Sequence, residues 1–484
     1  MILVLDIGTT TLRAAAVDDD LHIVELSARQ SPPDSPMPGL VEFDAAAMAG
    51  LAIGAANEVL DRLGGPVDAV GITTQRASTV VWDRATGQPI APALGWQDLR
   101  TVIECITAKA EHGLALAPNQ TATKAAWLLD HVEGARDRDL CIGTVETWIA
   151  WTLSGGDLHV TDHTNAGVGG LLAADGSGWN GRVLDALGIP GAALPDVVDS
   201  SGVVGVASVL RGAPPIAALV GDQQASLVGQ GCVRPGMAKV TFGTGGMLDI
   251  CRGPDAPDSV RRNEHGTFPI VAWSREGRLT WGVEGIMLSA GTNVEWLRDD
   301  LGVIDSSAES HDVAASVAGS DGVVYVPALL GLGTPAWDFG ARGSLFGVTR
   351  GTTRAHVVRA VLEGVAHRGA DLVEAAEGDT GLRIETLRID GGMSQNPTFV
   401  QALADASNRP VEVSPVVEST TIGAAFLAGL AVGTWNDVED IAQSWQPART
   451  VEPAAEGALD RAAWARAIER TKGWIPELSA LEFS

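Results

Sequence analysis

What this sequence lacks narrows it first. Four cysteines, Cys105, Cys141, Cys232 and Cys251, are spread over 484 residues. No two form a C-x-x-C pair, which excludes a zinc ribbon or a thioredoxin-type motif, and four are too few for a disulfide scaffold. They read as reduced core thiols of a cytoplasmic protein. Lysine is equally scarce: Lys109, Lys124, Lys239 and Lys472 are all there are. G-x-x-x-x-G-K-[ST] is absent, so there is no P-loop, and no G-x-G-x-x-G run opens a helix, which counts against a dinucleotide fold. The histidines show no H-E-x-x-H pattern. The longest apolar stretches, near residues 322–337 and 421–435, fall short of the ~18 residues a membrane span needs. The opening apolar run, Ile2–Leu5, has no basic flank and stops at Asp6, unlike a signal peptide. Positive charge is also short: 33 basic against 60 acidic residues leave a net charge of −27. That argues against nucleic acid or anionic membrane as a partner held by bulk charge. A phosphorylated ligand stays possible, because Mg²⁺ and backbone N–H groups hold phosphate without lysine.

What is present is a large apolar share. Hydrophobic residues make up 45%, with 58 glycines besides, which excludes a disordered chain and predicts two to four domains. Residues 2–6 read as a buried strand, 7–10 as a tight turn, 11–17 and 21–26 as further strands. Residues 45–63 have helical spacing behind Asp44 as N-cap, and 68–74 form another strand. Residues 216–220 read as a strand ending at Gly221-Asp222, with a short helix over 223–230. Strands at 239–242 and 247–251 flank Gly243-Thr244-Gly245-Gly246. This strand, Gly/Thr turn, strand pattern repeats that of residues 2–17 and predicts an internal duplication: two α/β halves dividing near residue 240. Beyond it come a helix over 353–376, a strand over 384–389, a helix over 396–406, a strand over 411–413 and a small-residue helix over 420–431. Residues 436–484 read as a polar helical appendage.

Four segments carry chemistry. In Asp6-Ile7-Gly8-Thr9-Thr10, a strand delivers a carboxylate to a turn rich in hydroxyls and N–H donors, suited to Mg²⁺ and phosphate; an ordinary hairpin turn has the same pattern. Phe242-Gly243-Thr244-Gly245-Gly246 lets backbone approach a phosphate closely; a plain Gly-rich turn reads identically. Asp390-Gly391-Gly392 ahead of Asn396 leaves room for a flat ring; so does a simple strand-to-helix turn. Asp222 opens a helix after a buried strand, where a carboxylate either takes a proton from a hydroxyl or caps the helix. The order of the three turns resembles the two-lobed actin/hexokinase-like (ribonuclease H-like) ATPase fold, an α/β fold with duplicated domains around a cleft.

Within that fold the chain resembles the FGGY family of carbohydrate kinases, in its glycerol-kinase branch, from Ile2 to about Trp435. The matching segments are Leu5–Thr10, Gly71–Arg76, Trp96–Thr101, Lys124–His131, Val160–Ala166, Gly221–Ala225, Gly343–Val348 and His356–Glu363. The resemblance implies an ATP-dependent kinase acting on a primary hydroxyl of glycerol or a related small polyol or sugar, with ATP and Mg²⁺ as cofactors. It implies a first domain over 1–240, with the polyol site, the first phosphate turn and the catalytic aspartate. A second, over 241–484, would hold the second phosphate turn and adenosine. Asp222 would be the base. Asp6 and Asp222 would hold Mg²⁺. Thr9, Thr10, Thr11, Arg13, Thr244 and Gly245 would lie at the phosphates, and Gly291, Glu295, Gly392 and Asn396 along the nucleotide. Arg76, Ala77, Trp96, Asn119, Asp222, Gln223 and Met247 would line the polyol pocket. A dimer or tetramer is implied by the same likeness.

The departures bear on the substrate. The family's branch has glutamate where this chain has Ala77, its pocket tyrosine falls at about Asn119, and its pocket phenylalanine at Met247. A lost acceptor and added volume point to a polyol somewhat different from glycerol, such as a tetritol. Alternatives are a kinase for a larger polyol or ketose, or a non-catalytic ATP-binding regulator of the same fold. The short Val209–Pro215 loop implies no inhibition by fructose bisphosphate.

Overall fold

The computed structural model describes residues 1–454 and 459–481. Thirteen strands build one mixed sheet: β1 (Ile2–Ile7), β2 (Thr11–Val17), β3 (Ile23–Gln30), β4 (Ala69–Thr74), β5 (Ser201–Val206), β6 (Pro215–Gly221), β7 (Ala238–Phe242), β8 (Gly246–Gly253), β9 (Phe268–Arg275), β10 (Arg278–Met287), β11 (Leu387–Asp390), β12 (Val411–Val413) and β13 (Arg449–Val451). Seven of the helices matter for the site: α1 (Ala45–Leu63), α2 (Thr121–His131), α3 (Asp222–Gly229), α4 (Arg354–Thr380), α5 (Pro397–Ser407), α6 (Ser419–Val432) and α7 (Arg461–Thr471).

The strand order is β3-β2-β1-β4-β6-β5-β9-β10-β8-β7-β11-β12-β13. Along β3-β2-β1-β4-β6-β5 the pairings run antiparallel, antiparallel, parallel, parallel, antiparallel. Along β10-β8-β7-β11-β12-β13 the same succession repeats. The duplication expected from the two Gly/Thr turns is therefore the architecture. The repeats meet where β9 closes onto β10 and touches β5 at one pair, Ser201 and Arg275.

Local sequence explains the elements. Every residue of β1 is buried, which suits an apolar central strand covered on both faces. Asp44 caps α1 by accepting from the Ala47 N–H, and Gly64 ends it at φ 64°. The third strand starts later than expected, at Ile23. Asp18 accepts from the N–H groups of Asp20 and His22, and Leu21 sits at φ 63°, so residues 18–22 are held as a turn. The strand expected from Ile384 starts at Leu387, because the Ile384 N–H donates to Glu377 and its carbonyl accepts from Arg409.

Helices α3 and α6 cross closely. A Cβ on Gly229 would lie 1.9 Å from the Ser419 carbonyl oxygen, and one on Gly423 would lie 1.8 Å from that of Ala225. Only glycine permits this approach. The crossing brings the start of α6 under the first repeat's strands.

The region expected as a polar helical appendage is more integral. Its Arg449–Val451 segment is the edge strand beside β12. Trp464 of α7 is buried, stacks on His367 of α4 at 4.8 Å and donates to Asp371. Hydrophobic period alone misses such a strand, because its three residues are too short to show alternation. Residues 455–458 and 482–484 of that region lie outside the described residues.

Candidate active site

Three turns at strand ends gather on one side of the sheet. At the first, β1 hands over to Gly8, whose N–H bonds the Thr11 carbonyl at 3.1 Å. A Cβ on Gly8 would fall 2.9 Å from that oxygen, so the tight turn requires glycine. Thr9 is half-buried, Thr10 is exposed and Thr11 opens β2. Asp6, one residue before the end of β1, pairs in register with Arg13 on β2 and accepts from the Thr421 hydroxyl at 3.1 Å. Burial pushes its carboxyl up to about 7, against the pull of Arg13, and Asp222 adds to the rise. Arg13 is itself ion-paired with Glu418 at 3.3 Å.

At the second turn, between β7 and β8, Thr244 is exposed and its carbonyl accepts from Ala290 at 2.8 Å. The Gly291 N–H bonds the Gly243 carbonyl at 2.8 Å, and a Cβ on Gly291 would lie 2.6 Å from that oxygen. A Cβ on Gly245 would be 2.8 Å from the Met287 oxygen. Gly243 and, at the third turn, Gly392 face open space within 4 Å. Asn396 is committed at both ends of its amide: it caps α5 through Phe399 and donates to Ser310 at 2.9 Å. Glu295 is exposed at the end of the Thr292–Glu295 turn of helix.

Asp222 is the first residue of α3, directly after β6. Arg76 reaches it from the loop after β4, with Nε 3.3 Å from Asp222 Oδ1. The stem of Arg76 passes over Gly221, where a Cβ would be 2.7 Å from its Cδ. Other nitrogens of the guanidinium meet Glu284 of β10 at 2.6 Å and donate to Gln224 at 3.4 Å. Burial raises the Asp222 carboxyl, with Arg76 opposing, and burial also raises Glu284, to about 7. Gln223 donates its backbone N–H to Asp222, and its side-chain oxygen accepts from Lys239 at 2.6 Å. Lys239 is wholly buried and paired with Asp249 of β8 at 2.7 Å.

A closed chain of hydrogen bonds links the first turn to the segment carrying Trp96. Gln75 donates to the Gly8 carbonyl, Ser78 donates to Gln75, the Trp96 N–H donates to Ser78, and the Trp96 indole donates to Thr9 at 3.1 Å. Ala77 sits inside this loop, buried, at φ 60°. Its carbonyl accepts from Thr79, Thr121 and Lys124. Lys124, on α2, is wholly buried and donates also to the Asn119 carbonyl at 2.9 Å. Asn119 therefore joins through its backbone, with its residue exposed. Met247 stands on β8 opposite Ile286, two residues before Asp249 and on the same face.

The residues that sequence reasoning overlooked are Lys239, Asp249, Glu284 and Gln224. Lys239 and Asp249 occupy opposed register positions of one hairpin, Lys239 the one charge of its strand and Asp249 a carboxylate in the apolar run of the other. That pairing was the available signal. Among the described residues, no group of three or more His, Cys, Asp or Glu is placed to hold a metal. His159 and His163 are four residues apart but contact different carbonyls, those of Ile142 and Val198. A Mg²⁺ ion carried by a nucleotide needs only one or two protein carboxylates, and Asp6 and Asp222, the second raising the proton affinity of the first, suit that demand.

Duplicated α/β repeats, a glycine-bearing turn in each, and a half-buried carboxylate beside an arginine define the class of two-lobed phosphotransferases. Residues 1–229 match the N-terminal domain, and residues 238–432 the C-terminal domain, of the FGGY family of carbohydrate kinases. This chain belongs to that family and is an ATP-dependent phosphotransferase of carbohydrate metabolism. A glycerol kinase of Aromatoleum aromaticum is 43% identical over 98% of this chain and 99% of its own length. Among solved structures, the glycerol kinase of Plasmodium falciparum with ADP superposes with a TM-score of 0.90 at 28% identity, covering 97% of this chain and 98% of its own. A xylulose kinase of Brucella ovis superposes at 0.84 with 25% identity, covering 99% of each chain.

Proposed function

We propose that this chain transfers the γ-phosphoryl group of ATP to a primary hydroxyl of glycerol or a closely related small polyol. The observation that carries the reading is the Arg76–Asp222 pair at 3.3 Å, hydrogen-bonded on one side to Gln224 and ion-paired on the other to Glu284. Phosphoryl transfer has a loose transition state, so positioning and charge neutralisation dominate. Asp222, half-buried and with its proton affinity raised, accepts the hydroxyl proton as the oxygen attacks. Arg76 and Gln223 donate to the polyol, and the ring of Trp96 packs on its carbons. Met247, Ala77 and Asn119 shape the remaining wall.

Thr9, Thr10, Thr11, Arg13, Thr244 and Gly245 hold the phosphates from the two turns. Gly291, Glu295, Gly392 and Asn396 border the nucleoside, where the open faces of Gly243 and Gly392 leave room. Asp6 and Asp222 would hold Mg²⁺, which neutralises charge on the transferring phosphoryl group when bound. The lobes, 1–240 and 241–484, close over both substrates and exclude water. Four free, buried cysteines suit a cytoplasmic enzyme. No helix among the described residues is long and apolar enough to cross a membrane. By family likeness the enzyme works as a dimer or tetramer.

Ala77 favours a second reading, a larger polyol or a ketose, because a buried methyl stands where an acceptor for a hydroxyl is otherwise expected. The test is ADP formation with glycerol, erythritol, threitol, dihydroxyacetone, pentitols and ketopentoses. Glycerol or a tetritol should lead. A ketopentose ahead of all polyols refutes the proposal.

A further inference from the structure

Strands β8 and β10 place two carboxylates side by side. Asp249 and Glu284 are direct cross-strand partners, and both are buried. Like charges opposed in this way repel, so the pair persists only with cations on it. Lys239 meets Asp249 at 2.7 Å, and Arg76 meets Glu284 at 2.6 Å. Both cations lean toward α3: Lys239 donates to Gln223, and Arg76 contacts Asp222 and Gln224. With Asp222 counted, the cluster holds three carboxylates and two cations. Glu284 Oε2 and both carboxylate oxygens of Asp249 are buried without an aligned hydrogen bond, so the ion pairs to Arg76 and Lys239 are what hold this pair of carboxylates.

From this we infer that Glu284 is a positioning and specificity residue: arriving from the second repeat, it fixes the Arg76 fork against Asp222 and supplies the carboxylate that position 77 does not. The inference rests on the polyol-kinase reading above. Arg76 directs three of its five N–H groups at Asp222, Glu284 and Gln224. The remaining two are left for substrate hydroxyls. An arginine held at both ends presents those donors at one fixed angle, whereas one held at Asp222 alone would swing. The bridge also spans the repeats, since Arg76 follows β4 and Glu284 lies on β10. Substrate selection by Arg76 is thereby tied to the approach of the two halves.

The test is steady-state kinetics of wild type, Glu284→Gln and Glu284→Asp across the polyol panel, with KM for ATP and the melting temperature measured alongside. Glu284→Gln should raise KM for the preferred polyol about tenfold or more and flatten discrimination among polyols. KM for ATP should stay within about twofold. Glu284→Asp should recover most of the loss. An unchanged polyol KM in Glu284→Gln, or a parallel loss in every parameter with a lowered melting temperature in both variants, overturns the assignment. A wild-type enzyme inert toward every polyol overturns the function itself, and this inference with it.

Discussion

The indole N–H of Trp96 donates to the hydroxyl of Thr9 across 3.1 Å, joining a side chain assigned to the polyol with one assigned to the phosphates. On the proposed roles of Trp96 and Thr9, polyol and phosphates share one hydrogen-bonded frame. Replacing Trp96 by Phe, or Thr9 by Val, removes a neutral hydrogen bond of ~1 kcal/mol. Each single change should lower kcat/KM about fivefold. The double variant should lose little more than the worse single one, since both break the same link. Fully additive losses would show that the contact is incidental.

Asp222 should dominate turnover. Asp222→Asn keeps the size of the side chain and an oxygen for the Gln223 N–H, but cannot take the hydroxyl proton. We expect kcat to fall by about 10²–10⁴, with nucleotide affinity within a few fold by ADP titration. A loss below tenfold would move the base elsewhere.

A pH effect on stability should come from Glu146. It is wholly buried among the hydroxyls of Thr144, Thr147 and Thr161. Burial pushes its carboxyl from 4.5 up to about 7. The folded state thus binds the proton more tightly than the unfolded chain. Its stabilising contribution is full below about 4.5 and is lost as pH rises through about 7. Glu146→Gln removes the titration and keeps an acceptor. Relative to wild type it should gain about 1–3 kcal/mol between pH 5 and pH 8, read from denaturant melts. Parallel pH curves for the two proteins would refute this.

Lys124 should matter to the proposed polyol wall through backbone alone. Its ammonium reaches the carbonyls of Ala77 and Asn119, and Ala77 is held at φ 60°, where an alanine does not rest unaided. Lys124→Met fills the space but leaves Asn119 unpaired. A cost of about 1–3 kcal/mol in stability follows, together with a several-fold rise in polyol KM. An unchanged KM would separate residues 77 and 119 from the substrate.

Much of this was legible before any coordinates. The paired Gly/Thr turns announce the duplication because a tight turn constrains sequence locally: Gly8 must pass the Thr11 carbonyl, and Gly245 must pass that of Met287. Asp222 stands out by residue type at a strand end, and Arg76 through the family resemblance. What stayed hidden was long-range pairing. Nothing near Glu284 in the chain says that Arg76, more than two hundred positions earlier, lies on it. The edge strand Arg449–Val451 was missed for the same reason, since its three residues become a strand only beside Val411–Val413. Lys239 and Asp249 were the intermediate case, readable from hairpin register once the turn between them is placed.

The crossing of α3 and α6 makes the last prediction, and the strictest. Thr421, two residues before Gly423, donates to Asp6, and Thr420 contacts the Asp222 carbonyl. The position of α6 therefore sets both proposed metal-side carboxylates. Gly423→Ala would put a methyl 1.8 Å from the Ala225 oxygen, which no rotamer relieves, because a Cβ has none. Overpacking of this kind costs about 1–3 kcal/mol or more. The helices can recover only by separating, and that carries Thr421 off Asp6. Gly423→Ala should lower the melting temperature and also weaken Mg²⁺-dependent turnover in the fraction that stays folded. Gly50→Ala on α1, where a Cβ meets nothing within 4 Å, should do neither. A folded Gly423→Ala enzyme with wild-type Mg²⁺ dependence would mean that α6 does not position Asp6.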